Sequence, residues 1–499
     1  MGTRRSERAL SAMDSSAEQI IRSEAAGSAP HEVMLTVPTI VGVGEQFDIG
    51  VSVLDRTGRP STTGTNRLTV LAGETLERAR HVEFAPGRVA ACRICGARIT
   101  KPGVFRVRAM YDGRSHYSNP VHCLPRPRRR VWWGDPHLHT TLSDCHADSC
   151  RTPDVGCVAA RDVYFLDFAS LTDHVSNGRG SRGKWKTLRA TDARYDEPGR
   201  FTMLPGYEAS LKSGSGGDNN VYFYDSLPHF VDAYDDGDVL TLCKGLKGKR
   251  FFVVPHHTSR AGKHGALREE IYPGPEAMPL VEIHSKWGTS EYRGNPYPLK
   301  EVAEGPCFAQ DLLAQGYHLG FIAGTDAHTA LTFARGIEPR HIDRPPGITA
   351  VIGSRLSRAS IFRNMRNRNC YATTGERILL EVSVCGRPMG TEVACSRSAA
   401  PTRRTLRVRC AAREDILSVE IVRSGEVIHV ASPSQWLVEF EHVDATPWRD
   451  CALSAPRLGS TFAYYYVRVT TRGGAMAWSS PIRFSLTARR ERHRFAGLE

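Results

Sequence analysis

The chain has 499 residues, room for about three domains at roughly 150 residues each, and its 40% hydrophobic content can fill real cores. A formal charge of +13, from 66 Lys and Arg against 53 Asp and Glu, favours anionic partners such as phosphate esters or nucleic acid. Thirteen scattered cysteines argue against a disulfide scaffold and for a reducing, cytoplasmic setting, and neither a secretory h-region nor an apolar run approaching about 18 residues is present, so no membrane partner is expected.

Taken in order, residues 1–31 read as a tail rich in Ser, Ala, Glu and Arg, with a short helix possible over Ser16–Ala26. From Glu32 to Pro125, alternating runs such as Val33–Val37, Phe47–Val53 and Gly103–Tyr111, broken by Gly and Pro turns, predict a β-sandwich over 32–125. The arginines at 126 and 128–130 mark a boundary. Over 131–379 strand-like runs alternate with helical stretches such as Pro153–Arg161 and Arg358–Arg366. That alternation predicts an α/β barrel of parallel strands. A second β-sandwich is expected over 380–486, followed by a basic tail at 487–499.

Polar residues gather where the central runs end. Val131–Trp133 is followed by Gly134-Asp135, then His137 and His139 at alternate positions, so both imidazoles can aim at one point. The next runs end on Asp173 and His174, on Glu208, on His256 and His257, on Glu282 and His284, and on Asp326 and His328; Asp144 lies nearby. A lone histidine at a strand end is usually a hydrogen-bonded core residue. Five such ends in one region point instead to a metal centre, because imidazole and carboxylate together bind zinc, manganese or iron.

The ordered motifs GDPHLHTTLSD (134–144), SLTDH (170–174), PGYE (205–208), VPHH (254–257) and GTDAH (324–328) resemble those of the PHP (polymerase and histidinol phosphatase) superfamily. GDNNVYFY (217–224) and VEIHSKWGTSEY (281–292) are similar to segments of a PHP-like subgroup with β-rich flanks. The resemblance covers most of Trp132–Phe484. It implies a distorted (β/α)7 PHP-type barrel between two small all-β sandwich-like domains. It also implies two or three divalent ions per chain and phosphoester hydrolysis. By motif, His137, His139, His174, Glu208, His256, Asp326 and His328 resemble metal ligands, with Glu208 bridging two ions.

Two departures stand out. Asp144, Cys145 and His146 compete for the ligand after the His-x-His, with Asp144 favoured, and Asp218 stands where the subgroup is expected to carry a histidine. His257 and His284 are candidates for proton donor to the leaving group, and Arg335 for neutralising a substrate phosphate. Trp287 can wall the pocket, and Asp173 can orient an imidazole or cap its strand. Lys286 and Arg377 read better as surface groups. The expected activity is metal-dependent phosphoester hydrolysis of a small anionic or phosphorylated substrate. Hydrolysis of a C–N or C–O bond and a non-catalytic metal-containing scaffold are the alternatives. Nucleic acid is allowed by the charge, although no zinc finger, helix-turn-helix or RNA-binding signature occurs.

Overall fold

The computed structural model describes residues 10–25, 29–65, 67–143, 150–174, 181–211, 216–226, 230, 237–262, 271–335, 344–396, 398–455 and 460–487. Strands hold 43% of it and helices 15%, with seven α-helices among the described residues. This balance overturns the expected (β/α)7 barrel. A parallel barrel needs a long crossover after each strand. Here Gly206–Ser210, Asp218–Phe223 and Phe251–Pro255 instead form an antiparallel three-stranded sheet. The central strand Arg130–Leu138 pairs parallel with Phe168–Leu171 on one side and antiparallel with Ile348–Gly353 on the other. A third sheet pairs Leu280–Ser285 parallel with Gly320–Ala323. The apolar runs are strands, but a buried run reads the same whichever way its neighbour points, so their direction was open.

The expected boundary after residue 379 is not a break in packing. Cys370–Thr373 pairs with Met476–Ser479, and the same 15-stranded sheet continues through Ser460–Thr471 and Arg404–Arg423 to Leu379–Val384. One apolar core runs from Trp133 and Tyr207 through Phe321 and Tyr371 to Trp478 and Phe484. A second core, including Val33, Ile49, Leu68 and Ala109, belongs to the N-terminal β-unit. Part of the expected tail is structured: Leu10–Ala12 pairs with Ala91–Arg98. The helix Ser15–Arg22 starts where the Asp14 carboxylate accepts from the Ser16 amide at 2.9 Å. It buries Ala17 and Ile21, and its Glu18 accepts from Arg88 Nε at 2.7 Å.

No helix among the described residues is long and apolar enough to cross a membrane, and no disulfide joins any of the twelve described cysteines.

The C-terminal strands are tied to the central sheets through buried Glu291. Its carboxylate accepts from Tyr466 Oη at 2.6 Å, Trp478 Nε1 at 2.6 Å and Arg468 Nη1 at 2.7 Å. Glu291→Ala leaves a buried guanidinium and an indole N–H without this partner and is expected to destabilise the fold by about 3–5 kcal/mol, measurable by denaturant unfolding. Asp192, in the helix Ser181–Tyr195, is pushed up to about 7 by burial despite the nearby Arg358. Between the ordinary carboxylate pKa and about 7 the folded state holds more protons than the unfolded one, so stability falls as pH rises through that window. Asp192→Asn is therefore expected to match the native chain near pH 4 and exceed it at pH 8, by up to about 4 kcal/mol; unfolding midpoints across that range test it.

Candidate metal centre

The centre lies where the ends of the three central sheets meet. His137 stands in the strand Arg130–Leu138 and His139 just beyond it. Their segment is pinned to the closing loop: His139 N donates to Ala327 O at 3.0 Å and Asp326 N to His137 O at 2.9 Å. Asp135 holds the same loop from below, accepting from Thr325 N at 3.0 Å and Thr325 Oγ1 at 2.7 Å. Gly324 is required by proximity, since a Cβ there would lie 2.4 Å from His137 Cβ and 2.7 Å from Glu282 Oε2. Glu208 is delivered by Gly206–Ser210 and bridged to His174. Asp218 and His256 come from the neighbouring strands, joined by His256 N donating to Asp218 O at 3.2 Å.

The hydrogen bonds fix which ring nitrogens face inward. His137 Nδ1 lies 3.1 and 3.0 Å from the two oxygens of Glu282, so it carries the proton that this carboxylate accepts. Ser143 Oγ gives its one proton to Asp173 Oδ1 at 2.7 Å. It can therefore only accept from His139 Nδ1, 2.8 Å away. In the neutral rings both Nε2 atoms then present lone pairs. They lie 3.1 Å apart, and each faces carboxylate oxygen. Glu208 Oε2 is 3.3 Å from His137 Nε2 and 3.0 Å from His139 Nε2, and Asp326 Oδ1 is 3.5 and 3.1 Å from the same atoms.

With neutral imidazoles these four atoms are all acceptors, and a positive charge, whether a divalent ion at the centre or a proton on each ring, must offset them. A tetrahedral site with metal–ligand bonds of about 2.0–2.1 Å has ligand–ligand edges of about 3.3–3.4 Å, and the five edges measured here run from 3.0 to 3.5 Å. The donor set fits a divalent ion.

Further donors extend the set. The second Glu208 oxygen lies 3.3 Å from His256 Nε2 and 3.8 Å from His174 Nδ1, so the carboxylate faces two groups at once. Glu208, Asp218 and His256 form one such group, and His139, His174 and His328 another, each with ligand atoms within 4.8 Å of one another. His328 stacks on His139 with centroids 4.2 Å apart. His257 Nε2 bonds the other Asp326 oxygen at 2.7 Å.

The electrostatics follow from the carboxylates. Burial alone disfavours protonated imidazole, but Glu282, Asp326 and Glu208 outweigh it and hold His137 well above its ordinary range. Asp326 and Glu208 do the same for His139. Burial pushes Glu208 and Asp326 up, yet the surrounding imidazoles keep both well below the usual carboxylate range. His174 and His257 are pushed down by burial.

Eight of the nine expected ligands converge here: His137, His139, His174, Glu208, Asp218, His256, Asp326 and His328. The ninth, Asp144, and its rivals Cys145 and His146 lie outside the described residues. Two expected catalytic groups do not join them. His284 sits past a register shift that separates it from Glu282. Its Nε2 donates to Pro345 O at 2.9 Å, its Nδ1 meets Thr289 Oγ1 at 2.8 Å, and burial pushes it down to about 4, so near neutrality its one ring proton is already committed to Pro345 O. Arg335 is exposed and lines a groove near Arg56 and Tyr164. His257, expected as a proton donor, instead bonds Asp326. Lys286 and Arg377 are buried, contrary to their surface reading: Lys286 Nζ donates to Ala334 O at 2.7 Å and Arg377 Nη2 to Phe165 O at 2.7 Å. Asp173 both orders the turn after His139, accepting from Thr140 N at 2.6 Å, and acts on His139 through Ser143. Ser143 and Asp135 were not singled out; neither residue type carries a local signal for such a role.

No protein-family model matches the chain. It is 26% identical over 479 residues to an uncharacterised protein of Chlamydia trachomatis serovar D, covering 91% of this chain and 74% of that one. An uncharacterised protein of Chlamydia pneumoniae is 26% identical over 474 residues with the same coverage. Among solved structures, a Bacteroides uniformis β-glucuronidase aligns over 92% of this chain and 61% of its own at 9% identity and TM-score 0.16. An endo-β-1,4-mannanase of Thermotoga petrophila aligns over 68% of this chain and 50% of its own at 12% identity and TM-score 0.13. Scores this low bear neither on fold nor on function.

Because Ser143 sets the proton on His139, Ser143→Ala is expected to weaken binding of zinc or manganese about 10- to 100-fold. Metal titration measures this, with the unfolding midpoint of the metal-free protein as the control.

Proposed function

We propose that the protein is a metal-dependent phosphoesterase acting on a small phosphorylated substrate, with two or three divalent ions (zinc, manganese or iron) per chain. The observation that carries this reading is the buried, converging set of His137, His139, Glu208 and Asp326, whose spacing matches the edges of a metal tetrahedron. Glu208, with one oxygen toward that set and the other toward His174 and His256, is suited to join two ions. A purely structural zinc needs about four ligands, and the groups here offer more than twice that. The resemblance of the ordered motifs to the PHP superfamily supports the choice of phosphoester chemistry.

Bound divalent ions would polarise a phosphoryl oxygen and supply a nucleophilic water at neutral pH. The chain's own contribution is to hold the acceptors. Glu282 and Ser143 keep the protons of His137 and His139 on the outward nitrogens, and Asp135 and Asp173 anchor the loops that carry them. Near-complete burial of His137, His139, Glu208 and Asp326 lowers the local dielectric and strengthens each charge interaction.

Metal content and turnover of phosphomonoesters and phosphodiesters, with and without added manganese or zinc, test the reading. Two or more ions per chain are expected, with turnover abolished in the His137→Ala, His139→Ala double variant. Bound metal with hydrolysis of amide or carboxylic ester substrates alone would transfer the assignment to C–N or C–O bond hydrolysis. Failure to retain metal under any loading condition would refute the centre.

A further inference from the structure

Beside the centre, the guanidinium of Arg260 is stacked on an aromatic ring. Arg260 Cζ lies 4.5 Å from the centroid of the Trp287 ring. Among the described residues, no hydrogen bond or ion pair engages that guanidinium. Trp287 borders the donor cluster, 5.6 Å from the His257 ring and 6.4 Å from that of His328. The backbone is fixed on both sides of Arg260. Its own N donates to His257 O at 2.7 Å, Ala261 N to Glu301 O at 3.0 Å and Ala303 N to Ser259 O at 2.9 Å. Arg335, expected at a substrate phosphate, lines the groove instead, and Lys286 and Arg377 donate to backbone carbonyls.

A partly exposed guanidinium stacked on an indole keeps its N–H fork free while its position is restricted. That is the arrangement for gripping phosphate oxygens bidentately. We propose that Arg260, seated on Trp287, binds the phosphate of the substrate at this centre, and that the substrate is a phosphomonoester. The assignment rests on the phosphoesterase reading. A monoester presents three terminal oxygens and nearly two negative charges, enough for both the metal centre and a guanidinium. A diester presents two such oxygens and one charge.

The test uses the full chain loaded with manganese and titrated calorimetrically with inorganic phosphate, the product of monoester hydrolysis. Native protein, Arg260→Gln and Arg260→Lys are compared, with metal content measured for each. Loss of a charged hydrogen-bonding partner is expected to weaken phosphate binding about 10- to 100-fold in Arg260→Gln, with partial recovery in Arg260→Lys and unchanged metal content. KM for monoesters should rise in parallel. Equal phosphate affinity in native and Arg260→Gln protein would overturn the role of Arg260 and leave the phosphoesterase reading standing. Turnover of diesters alone would overturn the monoester assignment. A metal-loaded native protein that neither binds phosphate nor hydrolyses any phosphoester would overturn both readings.

Discussion

Two imidazole nitrogens and two carboxylate oxygens face one another across about 3 Å in a buried space, and much of the surrounding chain holds that arrangement. Bringing such groups together costs free energy through desolvation and through repulsion between lone pairs. The contacts that offset it are specific. Glu282 grips His137 from outside, and Ser143 and Asp173 grip His139. Asp135 clamps the Thr325 turn that presents Asp326. Each acts on a proton or a loop rather than on the centre itself.

The backbone carries strain at the same place. Asp326 and His257 both adopt left-handed conformations, with φ of +52° and +50°, and neither is glycine. Such residues persist where surrounding structure over-determines them, at about 1 kcal/mol or more each. Here the two are joined side chain to side chain at 2.7 Å, so the strained positions are those that aim donors at the centre. Gly324 adds a different constraint, since only its missing Cβ lets His137 and Glu282 meet.

The C-terminal sheet is part of this support. Through Glu291 it fixes the segment that begins at Leu280 and carries Glu282 and Trp287. A distant β-unit therefore braces one wall of the centre, and the shared core makes the division at residue 379 one of sequence texture more than of packing.

Much of the centre was legible in the amino-acid sequence because its information is local. Alternation along an extended segment places His137 and His139 on one side, and a polar residue closing an apolar run marks a strand end whatever the sheet around it. The strands themselves were legible for the same reason. Their direction was not, because pairing is decided by what lies across the sheet, and that partner can be two hundred residues away, as Ile348–Gly353 is from Arg130–Leu138. The same limit explains the misplaced groups. A register shift after Glu282 turns His284 toward Pro345, and no local pattern distinguishes Arg260 from the other arginines. By itself the sequence determined which donors exist and which strand ends carry them. Tertiary structure alone decided how the sheets pair, which protons sit on which nitrogens and which cation stands beside the centre, because each of these depends on contacts between segments far apart in the chain.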